Sequence, residues 1–134
     1  MTKAERIKAV LAGAPVDRLP FSFWYHFYDI PVAERAGEKL AKAELDFYRT
    51  YDPDFLKVMH DVPYDLPDGL TKIENLEQWR KITELDPAEG NFGRQLQALQ
   101  LILEEVGPEV PVLDTVFNPM AYAQKLTGKR ALTI

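Results

Sequence analysis

Three short apolar segments, each followed by a helical pattern, set the limits on what this 134-residue chain can fold into. They are residues 21–26, 55–60 and 110–117, which carry the β-branched and aromatic side chains that suit buried strands. The full order reads helix, strand, helix, strand, helix, strand, helix. Such alternation implies parallel strands joined by crossovers, hence an α/β chain with about three parallel strands and flanking helices. Three strands cannot close an eight-stranded barrel, which takes about 250 residues. Two folds remain: the beginning of such a barrel, or an open three-stranded sheet. The sequence lacks the Gly-rich phosphate loop that open sheets often carry.

Local signals place the helices. Thr2 and Glu5 form a capping-box pair, so a first helix spans about residues 3–12 and stops at Gly13, with Ile7, Val10 and Leu11 on one face. Residues 31–51 repeat Leu40, Leu45, Phe47 and Tyr48 at helical spacing, and Gly37 is positioned to divide them. A short helix is expected near residues 74–79. A longer one is expected from a cap at Asn91 to a stop at Gly107, with Phe92, Leu96, Leu99, Leu103 and Val106 as its apolar stripe. Asn118 and Pro119 suit the N-cap and first position of a last helix running to about Leu126.

Composition narrows the function. Sixteen basic against 21 acidic residues leave a net charge of −5, a poor match to nucleic acid. There is no cysteine, so disulfides and Cys-based zinc sites are absent and a cytoplasmic setting is the expectation. No apolar run approaches the roughly 20 residues that span a bilayer, so no membrane partner is expected.

Three stretches, in order, carry a family resemblance. The first is residues 6–13 followed by Val16-Asp17-Arg18-Leu19-Pro20-Phe21. The second is residues 54–61, ending in Asp61. The third is residues 110–120 with Lys125-Leu126-Thr127-Gly128. Together they resemble the N-terminal region of the uroporphyrinogen decarboxylase family. The resemblance implies that residues 1–134 are the N-terminal part of a (β/α)8 TIM barrel. It also implies that Asp61 matches the family aspartate that stabilises a protonated pyrrole intermediate while carbon dioxide leaves, in a reaction without an organic cofactor. The family's arginine-rich segment after the first strand is missing, since that place reads Trp24-Tyr25-His26-Phe27-Tyr28-Asp29. Guanidinium groups grip carboxylates in pairs, so their absence weighs against a substrate with many carboxylates. Related members are corrinoid-linked methyltransferases that use zinc, with ligands in a later half, which this sequence does not include.

Individual residues carry two readings each. Asp61 ends a strand, where barrel enzymes build their sites, and is the expected catalytic residue; the plainer reading is a turn cap. His26 and Tyr25, at the end of the first strand, are expected to touch substrate, or else to pack as an aromatic cluster. Asn118 is expected chiefly to cap, with a substrate contact from the same loop. His60 points away from Asp61 and reads as a packed histidine. Lys57 is expected to pair with Asp114 inside the barrel. No metal site is expected, because His26 has no second ligand at helical spacing. Three functions follow: decarboxylation of a tetrapyrrole-type substrate, methyl transfer from a corrinoid, or a non-catalytic half-barrel that binds. Unpaired sheet edges imply self-association or docking of the remainder of a barrel.

Overall fold

The computed structural model describes residues 1–67 and 69–128. Its elements are α1 (Lys3–Leu11), a 3-10 turn (Val32–Glu34), α2 (Gly37–Tyr51), β1 (Leu56–Val58), α3 (Leu76–Trp79), α4 (Gly90–Val106), β2 (Val112–Asp114) and α5 (Pro119–Leu126). The two strands pair in parallel, with Leu56 opposite Val112 and Val58 opposite Asp114. This is a mixed α/β arrangement in which a small parallel sheet lies against helices. It fits part of a barrel.

The described residues hold two strands where three were expected. The segment 21–26 runs beside β1 but forms no ladder. Side chains take the groups that a ladder would use. The Asp54 carboxylate accepts from Phe21 N–H at 2.8 Å, and the Ser22 hydroxyl donates to the Phe55 carbonyl at 2.6 Å. One backbone bond, Asp54 N–H to the Phe21 carbonyl, holds the two segments together.

The core lies on one face of the sheet. Leu56 and Val58 are fully buried against Leu40 and Ala41 of α2 and Ala98 and Ile102 of α4. The other face carries Lys57 and Leu113, and the Lys57 ammonium rests 3.7 Å from the Trp24 ring centre. The expected Lys57–Asp114 pair is therefore absent. Successive strand residues face opposite ways, and Asp114 lies opposite Val58, so it shares the helix-covered face.

Two helical faces are also turned from expectation. In α1, Leu11 is 82% exposed, while Arg6 is the buried residue. In α4, Gln95, Ala98 and Ile102 face inward, and Leu96 and Leu103 are half-exposed. Asn91 does not cap α4, which begins at Gly90. The Asp65 carboxylate does that work from the preceding loop, accepting from the Asn91 backbone and side-chain amides at 2.6 Å each. Gly90 has φ +55, and a Cβ there would overlap the Asp65 carboxylate, so only glycine admits this approach. The loop after β1 is thereby tied to the start of α4. The remaining boundaries match the sequence reading: the Thr2–Glu5 capping box, the break at Gly37, the stop at Gly107, and Asn118 capping α5.

The N-terminal end of β1 is sealed by charge. Asp54 is fully buried and accepts from Arg6 Nη1 at 2.6 Å, from both Arg18 Nη atoms, and from Phe21 N–H. Asp17 holds Arg6 from the other side through Nε and Nη2. The Asp17-Arg18-Leu19-Pro20 motif is thus a clamp that fastens α1 and the entry segment to the start of β1.

Candidate functional site

The opposite end of β1 leads through Met59 and His60 to Asp61. The Asp61 carboxylate faces His26, whose Nδ1 lies 2.9 and 3.0 Å from its two oxygens. A carboxylate at this distance requires Nδ1 to be the protonated nitrogen, which leaves Nε2 as the acceptor. Arg35 Nη1 stands 3.8 Å from Asp61, while Arg35 Nε donates to the Ile30 carbonyl at 2.8 Å. The chain reverses directly after His26. Phe27 has φ +28, an uncommon conformation for a bulky residue, and its side chain is buried in the core beside Leu40. That anchor fixes where His26 stands, and strain of this kind gathers at functional sites.

A cleft of about 250 Å³ opens beside Asp61. Tyr64, Thr71, Tyr122 and Lys125 supply its other polar groups, and Val62, Leu66 and Leu126 its apolar wall. The Ile73 N–H bond to the Leu126 carbonyl, 2.8 Å, joins the middle loop to α5. The Lys125 ammonium sits 3.4 Å from the Phe117 ring centre. Burial pulls the Lys125 pKa down while Asp61 pulls it up, with the net effect downward. Burial raises the Tyr122 hydroxyl, and Asp114 adds to the rise. The cleft thus offers one carboxylate, one ammonium, two phenols and one aliphatic hydroxyl around a small space.

Behind Asp61 lies a drier group. Glu44 of α2 is 1% exposed, and neither carboxyl oxygen has a hydrogen-bond partner. Burial lifts its pKa to about 8, and Asp61 and Asp114 push it the same way; the Met59 amide is near enough to oppose the shift but lies outside hydrogen-bond geometry. Gln95 of α4 donates to Asp114 at 3.0 Å and leaves its own Oε1 unpartnered. Burial also raises Asp114 and lowers His60, which packs against Phe92 and Tyr122.

Of the residues expected from sequence, the structure brings Asp61 and His26 together. Tyr25 is half-exposed and stacks edge-on with Phe27 and Tyr28. The Asn118 side-chain oxygen is committed to the Ala121 N–H as a helix cap, 2.9 Å. Sequence reasoning missed Arg35, Glu44, Gln95 and Lys125. Glu44 left a signal: it falls four residues after Leu40 and three before Phe47, on the apolar face of α2. Arg35 lies in a charged run and left none. Among the described residues, no group of three His, Cys, Asp or Glu side chains is arranged to hold a metal ion. None of the described helices is long and apolar enough to cross a membrane.

No family model matches the chain, and no solved structure matches it. Among curated proteins it is similar to the methylcobamide:CoM methyltransferase MtbA of Methanosarcina mazei, with 24% identity over 95% of this chain and 45% of that protein. It is similar to MtbA of Methanosarcina acetivorans at 22% identity with the same coverage. The chain spans about half the length of these relatives. The relatives are named for methyl transfer and lend no support to decarboxylation.

Proposed function

We propose that this chain forms the N-terminal part of a barrel enzyme that transfers a methyl group from a corrinoid to a small thiol. The observation that carries the reading is the similarity to two methylcobamide:CoM methyltransferases along almost the whole chain. The site chemistry is compatible with it. A His26 ring whose Nδ1–H is held by Asp61 presents Nε2 as a base, and a carboxylate in that position favours the imidazolium that forms. In that reaction the thiol S–H bond would break with its proton passing to His26 Nε2, and the sulfur pair would bond to the methyl carbon as the carbon–corrinoid bond breaks, that bond's electron pair staying with the corrinoid. Lys125 is placed to attract an anionic end of the acceptor.

The test is an assay of the protein as encoded, with methylcobalamin as donor and 3-mercaptopropionate, a small thiol with an anionic end, as acceptor, read by mass spectrometry of the thioether. Methylated thiol formed by the wild type and lost in Asp61→Asn supports the reading. Carbon dioxide release from uroporphyrinogen, with no thioether, would return Asp61 to the decarboxylase role. A folded protein that does neither would favour a binding module.

A further inference from the structure

Three buried acceptor atoms without donors meet in one corner of the molecule: both carboxyl oxygens of Glu44 and Oε1 of Gln95. Buried polar atoms are nearly always paired, because each orphan carries a desolvation cost. Three orphans that are all acceptors signal a missing proton donor. Glu44 belongs to α2 and Gln95 to α4, and each is at least 98% buried. The acidic groups facing Glu44 are Asp61, beyond the end of β1, and Asp114, at the end of β2. From α4 the neighbour is the neutral Gln95, which binds Asp114 and the Met59 carbonyl. Arg35 and His26 are joined to this group through Asp61, and His60 feels Asp61 and Asp114.

We propose that Glu44 is a positioning residue for Asp61, held as the neutral acid behind the cleft so that a single carboxylate turns to His26 and Arg35. A proton on Glu44 supplies the donor that the corner lacks. It also removes one of three neighbouring negative charges, the one that is fully buried, where like charges cannot all ionise cheaply. When Glu44 does ionise, its O–H bond breaks, the electron pair stays on the carboxylate, and the proton goes to solvent. Asp61 then has a charged neighbour behind it, and its seat against His26 and Arg35 is disturbed. Burial moves the Glu44 carboxyl up to about 8, in agreement with this arrangement. The inference concerns the corner's geometry and holds whether the cleft transfers methyl groups or not.

The deciding measurement is carbon-13 NMR of the side-chain carboxyls in the full chain between pH 4 and 10. Glu44 is expected to titrate with a midpoint near 8. The same step is expected in the Asp61 carboxyl and in the His26 ring resonances. In Glu44→Gln, which keeps a neutral polar group, the step near 8 should vanish from both reporters while their shifts at pH 6 stay at wild-type values. A Glu44 midpoint below 5 would overturn the proposal. So would a step near 8 that persists at Asp61 in Glu44→Gln. Should that variant fold poorly, the wild-type titration still decides: a Glu44 step that leaves the Asp61 and His26 signals unmoved excludes a positioning role.

Discussion

Asp54 and Asp61 flank the same strand, one before β1 and one after it, and the protein treats them in opposite ways. Asp54 is fully buried, and every part of its carboxylate is engaged by Arg6, Arg18 and the Phe21 amide. Burial alone would raise its pKa, but these partners outweigh burial and hold it below the ordinary carboxylate value. Asp61 has a histidine, a distant arginine and an open cleft. A carboxylate with saturated partners stabilises a fold. One with spare capacity beside a cavity is available to a ligand. Barrel folds divide the same way, with stability built at the N-terminal ends of strands and chemistry at the C-terminal ends.

The largest expected effect tests the first half of this contrast. Asp54→Ala leaves the buried Arg6 with Asp17 as its remaining anion and strips Arg18 of its carboxylate, and breaking a buried pair in this manner costs about 3–5 kcal/mol. Urea unfolding should show a free-energy loss of that size, and Asn should not rescue it, because a neutral amide cannot stand in for a carboxylate between two guanidinium groups. Because the folded pKa of Asp54 lies below its unfolded value of 3.8, its contribution is present above that pH and is lost as pH falls through the folded value. A variant that melts within 2 °C of wild type would show that the clamp at the N-terminal end is not structural.

Next is Glu44, which sharpens the second half. Its folded pKa, about 8, is above the unfolded value of 4.5. Below 4.5 both states hold the proton and the fold loses nothing. Between 4.5 and 8 the unfolded chain releases its proton while the folded chain keeps it, so stability falls as pH rises. At 1.36 kcal/mol per unit, the loss by pH 7 is at most about 3 kcal/mol. Glu44→Gln should recover that amount at pH 7 and nothing at pH 4, measured as the difference between urea curves at the two pH values. Equal effects at both would mean that packing, and not charge, sets the role of Glu44.

Asp61→Asn should act on chemistry more than on stability. With Asn, His26 loses the partner that fixes its tautomer and supports its positive form. General base catalysis contributes at least about 100-fold, equivalent to roughly 2.7 kcal/mol of barrier. Methyl transfer to a thiol should fall by that factor or more, while the urea midpoint moves little, since Asp61 is only partly enclosed. If stability falls as it does for Asp54→Ala and turnover is spared, the contrast between the two ends is inverted.

The candidate site was legible in the sequence only unevenly, for physical reasons. Asp61 and His26 were legible because each follows an apolar run, and strand ends are where loops expose side chains. Their mutual contact was not legible, since it joins residues 35 positions apart. The Lys57–Asp114 pair failed on register alone: a shift of one residue in a parallel pair moves every side chain to the other face. Arg6 was invisible as a core residue because a charged side chain is ordinarily exposed, and only the two aspartates that meet it make its burial tolerable. The strand expected at 21–26 had the right composition. What it lacked were free backbone partners, which Asp54 and Ser22 take.

The smallest effect separates a cap from a ligand contact. Asn118 lies in the loop after β2, on the same side as the cleft, and its oxygen accepts from the Ala121 N–H at 2.9 Å. An N-cap Asn replaced by Ala typically costs about 1 kcal/mol. Asn118→Ala should lower the urea stability by that much, and Asn118→Asp, which still caps and adds a charge favourable at a helix N-terminus, should restore it. If capping is its whole role, methyl transfer by Asn118→Asp equals wild type under conditions where both are folded. A loss of transfer in Asn118→Asp with stability intact would instead show that this side chain does more than cap, because the aspartate keeps the capping oxygen while exchanging the N–H donors for a negative charge.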